Sequence, residues 1–472
     1  MPSPVNAREL ALQVLLDVEE RGAYVNLALG AALDKADPCR LDRAFITELV
    51  YGTLRRLNTL DWALGLYLRR PLSRLDPKVR NILRLGAYQV LFMERVPDAA
   101  AVNESAKLAR RHGHEGIVKF VNGVLRNLVR GRERLPYPDP GQDPVGYIAL
   151  RHSHPAWLVR RWMDQFGFTT AAALCEANNR PAPNTVRVNT LKADTETVMA
   201  MLAGEGIAVQ RGKYARDCLL LGGGVVTGRL VPFREGLLQV QDESSILVGQ
   251  AVHPGPGSRV IDVASAPGGK ATHLAQLMQN RGEILALDVH RHKIKLIEDN
   301  CRRLGVTIVR TLLADARHLP EEYAVWADYV LVDAPCSGLG VLRRRPDAKW
   351  RKKEGQIREL ALLQSQILSA AAAALKPGGI LVYSTCTITR EENLGQVEAF
   401  LRAHPDFTLE SLAGLLPDSL DWDSTLRQGF LQIMPHLHDG LDGFFIARLR
   451  KAPGSSCQVP VASAVKKINS RV

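Results

Sequence analysis

Apolar residues recur at helical spacing through the first part of the chain. Those from Ala7 to Val18 fall at i, i+3, i+4, i+7 and i+11, which places them on one face of a helix. Pairs such as Arg70-Pro71 and Asp76-Pro77 mark helix boundaries, because the residue before a proline avoids the helical conformation. The pattern predicts further helices at about 41–57, 58–70, 76–93, 98–111 and 115–130.

The pattern changes twice after this helical part. The stretch LPYPDPGQDP has four prolines in ten positions, which predicts an extended linker. A mixed stretch with the strand-like TVRVNTL (185–191) follows, and from Gln239 strands and helices alternate, as in a doubly wound parallel sheet. The predicted divisions are a helical domain over 1–135, a linker over 136–144, a small α+β segment over 145–235, an α/β domain over 236–452 and a flexible tail over 453–472.

The chain is basic. Its 472 residues include 61 Lys and Arg against 49 Asp and Glu, a net charge of +12. Residues 1–135 hold 22 of the basic and 15 of the acidic residues, so +7 of this charge lies in the helical part. Such an excess favours binding to RNA, but a solvated helical bundle with arginines on its outer faces accounts for it equally well. Charge alone leaves both interpretations open.

Composition argues against several classes of protein. No apolar run approaches the roughly 18 residues that cross a bilayer, and the N-terminus lacks a basic segment followed by an apolar one. Seven widely spaced cysteines, an odd number, argue against a disulfide scaffold, and without a Cys-x-x-Cys pair structural zinc is not expected. We therefore expect a cytoplasmic protein with no membrane span and no metal.

A strand, a turn of small residues and a helix follow one another from residue 259. The strand RVIDV leads into ASAPGGK and then into the helical THLAQLMQ. Backbone N–H groups and the helix dipole at such a turn bind a polar ligand. The turn has neither a G-x-G-x-x-G pattern nor a phosphate-binding G-x-x-x-x-G-K-[ST] loop, which disfavours a nicotinamide or a nucleoside triphosphate. The candidate cofactor-binding residues of the turn are Ala264, Ser265, Ala266, Pro267, Gly268, Gly269 and Lys270.

Acidic residues stand at the ends of the strands that follow. Asp288 comes 19 residues after Gly269, where an acid accepts hydrogen bonds from ribose hydroxyls. Asp315 and Asp333 end the next two strands. Because ligands of open α/β sheets bind outside the carboxyl ends of the strands, these acids are further candidates for cofactor binding. The arrangement resembles the S-adenosylmethionine pocket of class I methyltransferases.

Two cysteines stand at the ends of strands that we expect to be neighbours. Cys336 follows Asp333-Ala334-Pro335, and Cys386 lies near the carboxyl end of GILVYSTCT. Both thiols would therefore open onto one crevice, beside the cofactor pocket, which indicates catalysis. A lone buried cysteine is usually only a small apolar residue, and we expect that role for Cys39, Cys175, Cys218, Cys301 and Cys457.

This pair of thiols suits methylation of cytosine at C5, which is a poor nucleophile. A thiolate that attacks C6 turns C5 into an enamine carbon able to accept a methyl group. A base must then remove the C5 proton so that the thiolate can leave. Asp333 can hold the N3 and N4 edge of the base and stabilise the charged adduct, and the target base must be unstacked to reach such a pocket.

Three segments carry a specific resemblance. DVASAPGGK, DAPCSGLGVLRRRPDAKW (333–350) and YSTCTITREENLGQVEAFL (383–401) resemble motifs of the RNA cytosine-5 methyltransferase family. ARELALQVLLDV and LDRAFITELVYGTLRR resemble the RNA-binding fold of the antitermination factor NusB. The combination is similar to the bacterial ribosomal RNA small-subunit methyltransferase B family over nearly the whole chain. One departure is Ala264, where that family commonly has cysteine, and we expect little effect because the turn acts through its backbone.

The resemblance implies a multidomain fold: an all-α NusB-like domain, a small α+β RNA-binding segment and a C-terminal class I (Rossmann-like, α/β) methyltransferase domain that uses S-adenosylmethionine. It further implies a monomer that methylates cytosine 967 of 16S ribosomal RNA. Cys386 would be the nucleophile, and Cys336 would assist proton removal. In DNA cytosine-5 methyltransferases the cysteine after proline attacks instead, but the Thr385-Cys386 pair favours the RNA type.

A basic run lies between the two cysteines. Beside a catalytic pair we expect it to grip the RNA backbone rather than to form only a solvated face, and the candidates are Arg343, Arg344, Arg345, Lys349 and Arg351. Two alternatives stay open: the same chemistry on tRNA or another RNA, and a non-catalytic RNA-binding or antitermination factor. The second is disfavoured because binding alone needs no nucleophile.

Overall fold

The computed structural model describes residues 6–222, 225, 227–420, 424–438 and 440–454. Contacts group the chain into two compact units. The helical unit joins the stretch up to Asn184 to Ser337–Gln356 and Ile433–Gly443, and the sheet unit contains Thr185–Cys336, Ile357–Gln432 and the chain from Phe444 onward. The tail expected over 453–472 lies outside the described residues from position 455 on.

The helical unit is built from helices, several of which begin at a capping side chain. Its N-terminal stretch contains α1 (Ala7–Glu20), α2 (Val25–Ala36), α3 (Arg40–Arg55), α4 (Leu57–Gly65), α5 (Pro77–Phe92), α6 (Asp98–His112), α7 (Glu115–Gly131), α8 (Pro144–Arg151) and α9 (Ala156–Ala177). Asp76 caps α5 by accepting the Lys78 N–H at 2.8 Å, with Pro77 in the first helical position. The prediction of an all-helical N-terminal domain is confirmed.

A small α+β domain opens the sheet unit. Its strands form a sheet in the order β2-β3-β1-β4, in which β1 pairs with β4 and β2 with β3, both antiparallel. Val186, Val188 and Leu219 are completely buried in its core. Its elements are β1 (Asn184–Val188), α10 (Thr195–Gly204), β2 (Val209–Arg211), β3 (Cys218–Leu221), α11 (Val231–Arg234) and β4 (Leu238–Val240).

A second, eight-stranded sheet follows with helices between its strands. The elements in chain order are α12 (Glu243–Val252), β5 (Arg259–Asp262), α13 (Gly269–Leu277), β6 (Glu283–Asp288), α14 (Arg291–Leu304), β7 (Val309–Leu313), β8 (Ala327–Asp333), α15 (Ala348–Arg351), α16 (Gly355–Ala374), β9 (Leu375–Thr385), α17 (Leu394–Ala403), β10 (Phe407–Leu409), α18 (Thr425–Gln428), β11 (Phe430–Ile433) and β12 (Phe444–Lys451). Of these, α15 belongs to the helical unit.

The strand order of this sheet creates a crevice at its centre. The order is β10-β12-β9-β8-β5-β6-β7, with β11 paired to β12. Strands β5 to β9 run parallel, whereas β12 is antiparallel to β9. From β5 the chain adds β6 and β7 on one side and then returns to add β8 and β9 on the other, so the strand order reverses between β5 and β8. Open α/β sheets bind ligands at this point of reversal. The predicted class I α/β fold is confirmed.

Within the described residues, no helix combines the length and the apolar character needed to cross a bilayer. The same part of the chain contains no cluster of side chains suited to a metal ion.

Candidate active site

The turn between β5 and α13 has the backbone geometry of a ligand-binding loop. Gly268 adopts a φ of +96°, and a Cβ there would lie 3.2 Å from Ile297, so glycine is required at this position. The Ser265 N–H donates to the Leu287 carbonyl at 2.8 Å, and the Gly268 N–H donates to the Ser265 carbonyl at 2.7 Å. Helix α13 begins without a side-chain cap, so its first N–H groups can meet a ligand.

Asp262, the last residue of β5, was missed as a site residue by the sequence analysis. Its side chain is completely buried, and neither carboxylate oxygen has a hydrogen-bond partner in the described part of the chain. Burial, reinforced by the charge of Asp333, raises the pKa of Asp262 to about 7. Ser265, Lys270 and the Ala264 backbone act to lower this pKa but do not outweigh burial. A buried carboxylate without a well-formed hydrogen bond, at a ligand crevice, fits an incoming ammonium or hydroxyl group. Its place at the end of the strand before the turn was the available signal.

The two other acids expected to bind cofactor end neighbouring strands. Asp288 is nearly buried at the end of β6 and accepts the His290 N–H at 2.9 Å. Asp315 follows β7 and is paired with Arg317 at 2.6 Å. Hydrogen bonds from Arg317 lower the pKa of Asp315 to about 2, so this carboxylate is ionised. Since β5, β6 and β7 are parallel neighbours, the acids lie along one edge of the sheet.

Asp333 is held from two sides at the end of β8. Lys270 Nζ contacts one carboxylate oxygen at 2.7 Å, and Ser384 Oγ donates to the other at 2.8 Å. Burial alone would lower the pKa of Lys270, but the charge of Asp333 and the hydrogen bond to it outweigh burial and raise this pKa. Lys270 therefore stays a cation. The charge of Cys386 also raises the pKa of Lys270, so the ammonium group and this thiol interact electrostatically.

Cys336 and Cys386 are brought together by the adjacent strands β8 and β9. Asp333 lies opposite Ser384 in the parallel register, and the two Sγ atoms are 3.3 Å apart. The hydrogen bond with Cys386, burial and the charges of Cys386 and Glu392 raise the pKa of Cys336 well above its usual value. When the pair loses one proton, Cys336 is therefore the cysteine that stays protonated, which leaves the negative charge on Cys386.

The loop around Cys336 is braced by buried polar residues that the sequence analysis did not single out. Gln364 Nε2 donates to the Pro335 carbonyl at 2.9 Å and to Glu392 Oε1 at 3.2 Å. Thr389 Oγ1 donates to the second Glu392 oxygen at 2.7 Å. Both Gln364 and Glu392 are completely buried. In the sequence, only the run of charged residues after Thr385-Cys386 pointed to these buried contacts.

The other cysteines mostly behave as expected. Cys175, Cys218 and Cys301 are buried. The expectation was wrong for Cys39, which is exposed and caps α3 by accepting the Asp42 N–H at 3.5 Å. Cys457 lies outside the described residues.

The basic run after Cys336 is partly buried, and two of its predicted RNA contacts are wrong. Lys349 is 1% exposed, and its Nζ donates to the carbonyls of Arg55 at 2.8 Å and Ser153 at 2.6 Å. Arg343 is also buried. Direct RNA contact by Lys349 and Arg343 was thus a wrong prediction, since both side chains are buried and bound to partners inside the helical unit.

The remaining members of this run differ in how they are used. Arg343 and Arg344 both pair with the buried carboxylate of Asp442. Arg351 donates to the Gly22 carbonyl at 2.8 Å, so its guanidinium also serves the helical unit. Arg345 is the exposed member of the predicted set, and its contact with RNA stays a prediction.

Comparison with known proteins agrees with this geometry. Residues 249–450 match the family model for 16S rRNA methyltransferase RsmB/F, residues 5–130 match the NusB family, and residues 154–227 match an RsmF/B-like ferredoxin-like domain. The chain is 42% identical over 448 residues to a probable ribosomal RNA small subunit methyltransferase B of Bacillus subtilis, across 94% of this chain and 99% of that protein. The chain belongs to the ribosomal RNA small subunit methyltransferase B family.

Solved structures extend the family assignment. A methyltransferase homolog protein from Pyrococcus horikoshii has a TM-score of 0.57 at 31% identity. The match covers 66% of this chain and 100% of that one. NSun6 from Pyrococcus horikoshii, solved with SFG, has a TM-score of 0.55 at 26% identity, over 63% of this chain and 98% of that one. Membership of the methyltransferase B family confirms the predicted enzyme class, an RNA methyltransferase that depends on S-adenosylmethionine.

Proposed function

We propose that this enzyme forms 5-methylcytosine in 16S ribosomal RNA, at the position equivalent to cytosine 967, through a covalent adduct between Cys386 and C6 of the base. The observation that carries the proposal is the pair of thiols 3.3 Å apart beside the Lys270–Asp333 ion pair. A methyltransferase that acted on an oxygen or an amine would need no second thiol at this place.

The cofactor would be held by the turn and by the acids at the strand ends. Asp262 offers an orphaned carboxylate to the amino group of the methionine part, and the first N–H groups of α13 face the same crevice. Asp288 would accept from the ribose hydroxyls, with Asp315 further along the sheet edge. When bound, S-adenosylmethionine supplies an electrophilic methyl group.

The first step assigned to the protein is nucleophilic attack. Cys386 carries the negative charge of the thiol pair because Cys336 retains the proton, and the Lys270 ammonium group stabilises that charge. The Cys386 sulfur forms a bond to C6, and the C5–C6 electrons shift to make C5 nucleophilic. Asp333, fixed by Lys270 and Ser384, would hold the N3 and N4 edge of the base.

The second step is elimination, which would follow once C5 has taken the methyl group and S-adenosylhomocysteine is left as the spent donor. Once Cys386 is a thioether, it no longer bears the charge that raises the pKa of Cys336, so Cys336 can release its own proton to water. The resulting thiolate removes the C5 proton, the C–H electrons restore the C5–C6 double bond, and the bond between sulfur and C6 breaks. Methylated RNA and a free Cys386 thiolate are the products.

Ribosomal RNA is the proposed partner, and the helical unit is the proposed place of much of its binding. Support comes from the +7 charge of residues 1–135 and from the match of residues 5–130 to the NusB family. The names of the methyltransferase B relatives refer to the small ribosomal subunit. We propose the small α+β domain as a second RNA-binding part.

The test of this function is to map 5-methylcytosine by bisulfite sequencing in RNA from cells with and without the gene. We expect a single 16S position to lose its methylation in the deletion strain, and expression of the intact gene to restore it. Loss confined to tRNA would favour the alternative substrate. Unchanged methylation in all RNA, together with no methyl transfer by the purified protein, would overturn the proposal.

A further inference from the structure

Arg187, in the TVRVNTL motif on β1, has a completely buried side chain. Its guanidinium donates to four neutral acceptors, which are Gly269 O at 2.8 Å, Gln276 Oε1 at 3.1 Å, Thr272 Oγ1 at 3.2 Å and the side-chain oxygen of Gln241. The guanidinium group of this residue of the small α+β domain thus lies at the start of α13, the helix that follows the cofactor turn.

These hydrogen bonds fix the backbone of the cofactor turn. Arg187 holds the Gly269 carbonyl directly, and Thr272, which accepts from Arg187, donates at 2.8 Å to the Gly268 carbonyl. Each carbonyl shares a rigid peptide plane with the N–H of the next residue. Holding the carbonyls of Gly268 and Gly269 therefore orients the N–H groups of Gly269 and Lys270, the first donors of the uncapped α13.

The charge of Arg187 is costly where it lies. Burial lowers the pKa of its guanidinium to about 9, and the charge of Asp217 offsets this only in part. A hydrophobic residue would pack at this inward position of a strand without that cost. A buried cation near the first turn also adds to the positive potential of the helix N-terminus. Both features suit a residue that prepares a binding site.

Asn189 of the same motif and Lys192, which directly follows it, make contacts that only dock the small domain. Asn189 Nδ2 donates to the Leu304 carbonyl at 2.8 Å, and Lys192 Nζ donates to the Arg303 carbonyl at 2.9 Å, both at the end of α14. Lys192 is exposed and contacts no part of the cofactor turn. It offers a matched control, because its loss weakens the docking and leaves the turn alone.

We propose that Arg187 is a positioning residue for the cofactor: it holds the β5–α13 turn in its binding geometry, which makes the small α+β domain part of the S-adenosylmethionine site. The inference rests on the proposed binding of this cofactor at the turn. It assigns to the domain a role in methyl-donor binding in addition to its proposed contact with RNA.

The experiment compares the full-length wild type with Arg187→Met, Arg187→Lys and Lys192→Met. Calorimetric titration with S-adenosylhomocysteine gives the dissociation constant without turnover, and thermal unfolding reports the stability of each variant. We expect Arg187→Met to weaken binding by about tenfold or more, in line with the loss of several buried charged hydrogen bonds. Arg187→Lys, which keeps the charge but not the planar fork, should bind more weakly than wild type. Lys192→Met should stay within about twofold of wild type.

Kinetics on RNA provides the second measurement. The KM for S-adenosylmethionine should rise in Arg187→Met and Arg187→Lys, while the KM for RNA stays at the wild-type value. Wild-type affinity for S-adenosylhomocysteine in Arg187→Lys, or an equal loss in Lys192→Met, would overturn the inference. If Arg187→Met does not fold, Arg187→Lys decides alone. Failure of the wild type to bind S-adenosylhomocysteine would count against the proposed function instead.

Discussion

The Sγ atoms of Cys336 and Cys386 lie 3.3 Å apart although 50 residues separate them in the chain. Two thiols at this distance cannot both ionise readily, because the second charge would form beside the first. Cys336 is the partner whose pKa is raised. When one thiol of the pair ionises, the remaining proton is therefore held on Cys336.

Substitution of the two cysteines should have opposite effects on the amount of covalent protein–RNA complex. We expect Cys386→Ala to form no covalent adduct and to reduce methyl transfer to background, because the attacking thiolate is gone. Cys336→Ala should still attack but should release RNA slowly, so that a protein–RNA complex accumulates. Denaturing electrophoresis with labelled 16S RNA measures this complex, since a thioether survives detergent.

Affinity for S-adenosylhomocysteine is the control, and we expect both cysteine variants to retain it because neither cysteine belongs to the cofactor turn. A complex trapped by Cys386→Ala and not by Cys336→Ala would reverse the two roles and indicate a mechanism of the DNA methyltransferase type.

Asp262 should make the cofactor-free protein less stable as the pH rises. Its pKa is about 7 in the folded chain against an ordinary value of 3.8, so the folded state binds the proton more tightly than the unfolded state. Stability should fall between pH 4 and pH 7, by up to about 1.4 kcal/mol per pH unit. Asp262→Asn should remove this slope, and it should therefore unfold at a higher temperature than wild type at pH 8 but not at pH 4.

The same variant should bind S-adenosylhomocysteine more weakly at pH 8, because its amide cannot pair with an ammonium group. An Asp262→Asn protein with wild-type affinity and an unchanged pH slope would show that the buried carboxylate is not part of the cofactor site.

Lys349 should matter for stability rather than for RNA. Lys349→Met leaves the carbonyls of Arg55 and Ser153 without their donor, and we expect a loss of about 2 kcal/mol in the free energy of unfolding. Arg345→Ser, at an exposed position, should leave unfolding unchanged and should reduce the salt dependence of RNA binding by about one counter-ion. Chemical denaturation and filter binding at several salt concentrations measure the two effects, and the reverse pattern would restore the RNA role of Lys349.

Removal of the N-terminal helices should damage the protein beyond any loss of RNA contact. Trp350 Nε1 donates to the Leu54 carbonyl at 2.7 Å, and Arg351 donates to the Gly22 carbonyl at 2.8 Å. A chain that begins at Pro144 lacks both acceptors, so we expect it to aggregate or to melt at a lower temperature. A soluble truncated protein with the wild-type melting temperature would show that these contacts contribute little.

Patterns along the chain predicted the parts of the site that depend on strand order. Asp288, Asp333 and Cys386 end apolar β-branched runs, and the doubly wound topology brings such ends to one edge. Helix α2 was not predicted, because its N-cap residue Tyr24 makes no side-chain cap hydrogen bond and the helix carries Gly30 in its middle. The pattern of apolar residues therefore locates the end of a strand well, whereas the start of a helix without capping residues is hard to recognise in the sequence.

Burial of charged residues could not be read from the sequence. Lys349 and Arg345 stand four positions apart in one basic run, yet the first is buried and the second is exposed. Arg187 and Asp262 were missed for the same reason: the strand end marks the place of Asp262, but the sequence does not distinguish a buried charged residue in a strand from one that faces solvent. Their roles depend on partners far away in the chain, such as Gln276 for Arg187.

The helical unit is assembled from three separate stretches, and this sets an order on its formation during synthesis. Arg343 and Arg344 share the buried carboxylate of Asp442. The ribosome makes Asp442 only after Thr185–Cys336 and Ile357–Gln432 of the sheet unit. The N-terminal helices can form early, but the helical unit is completed by residues that are made after two stretches of the sheet unit. Domains usually fold in order from the N-terminus, whereas here the first unit cannot be finished before much of the second has been synthesised.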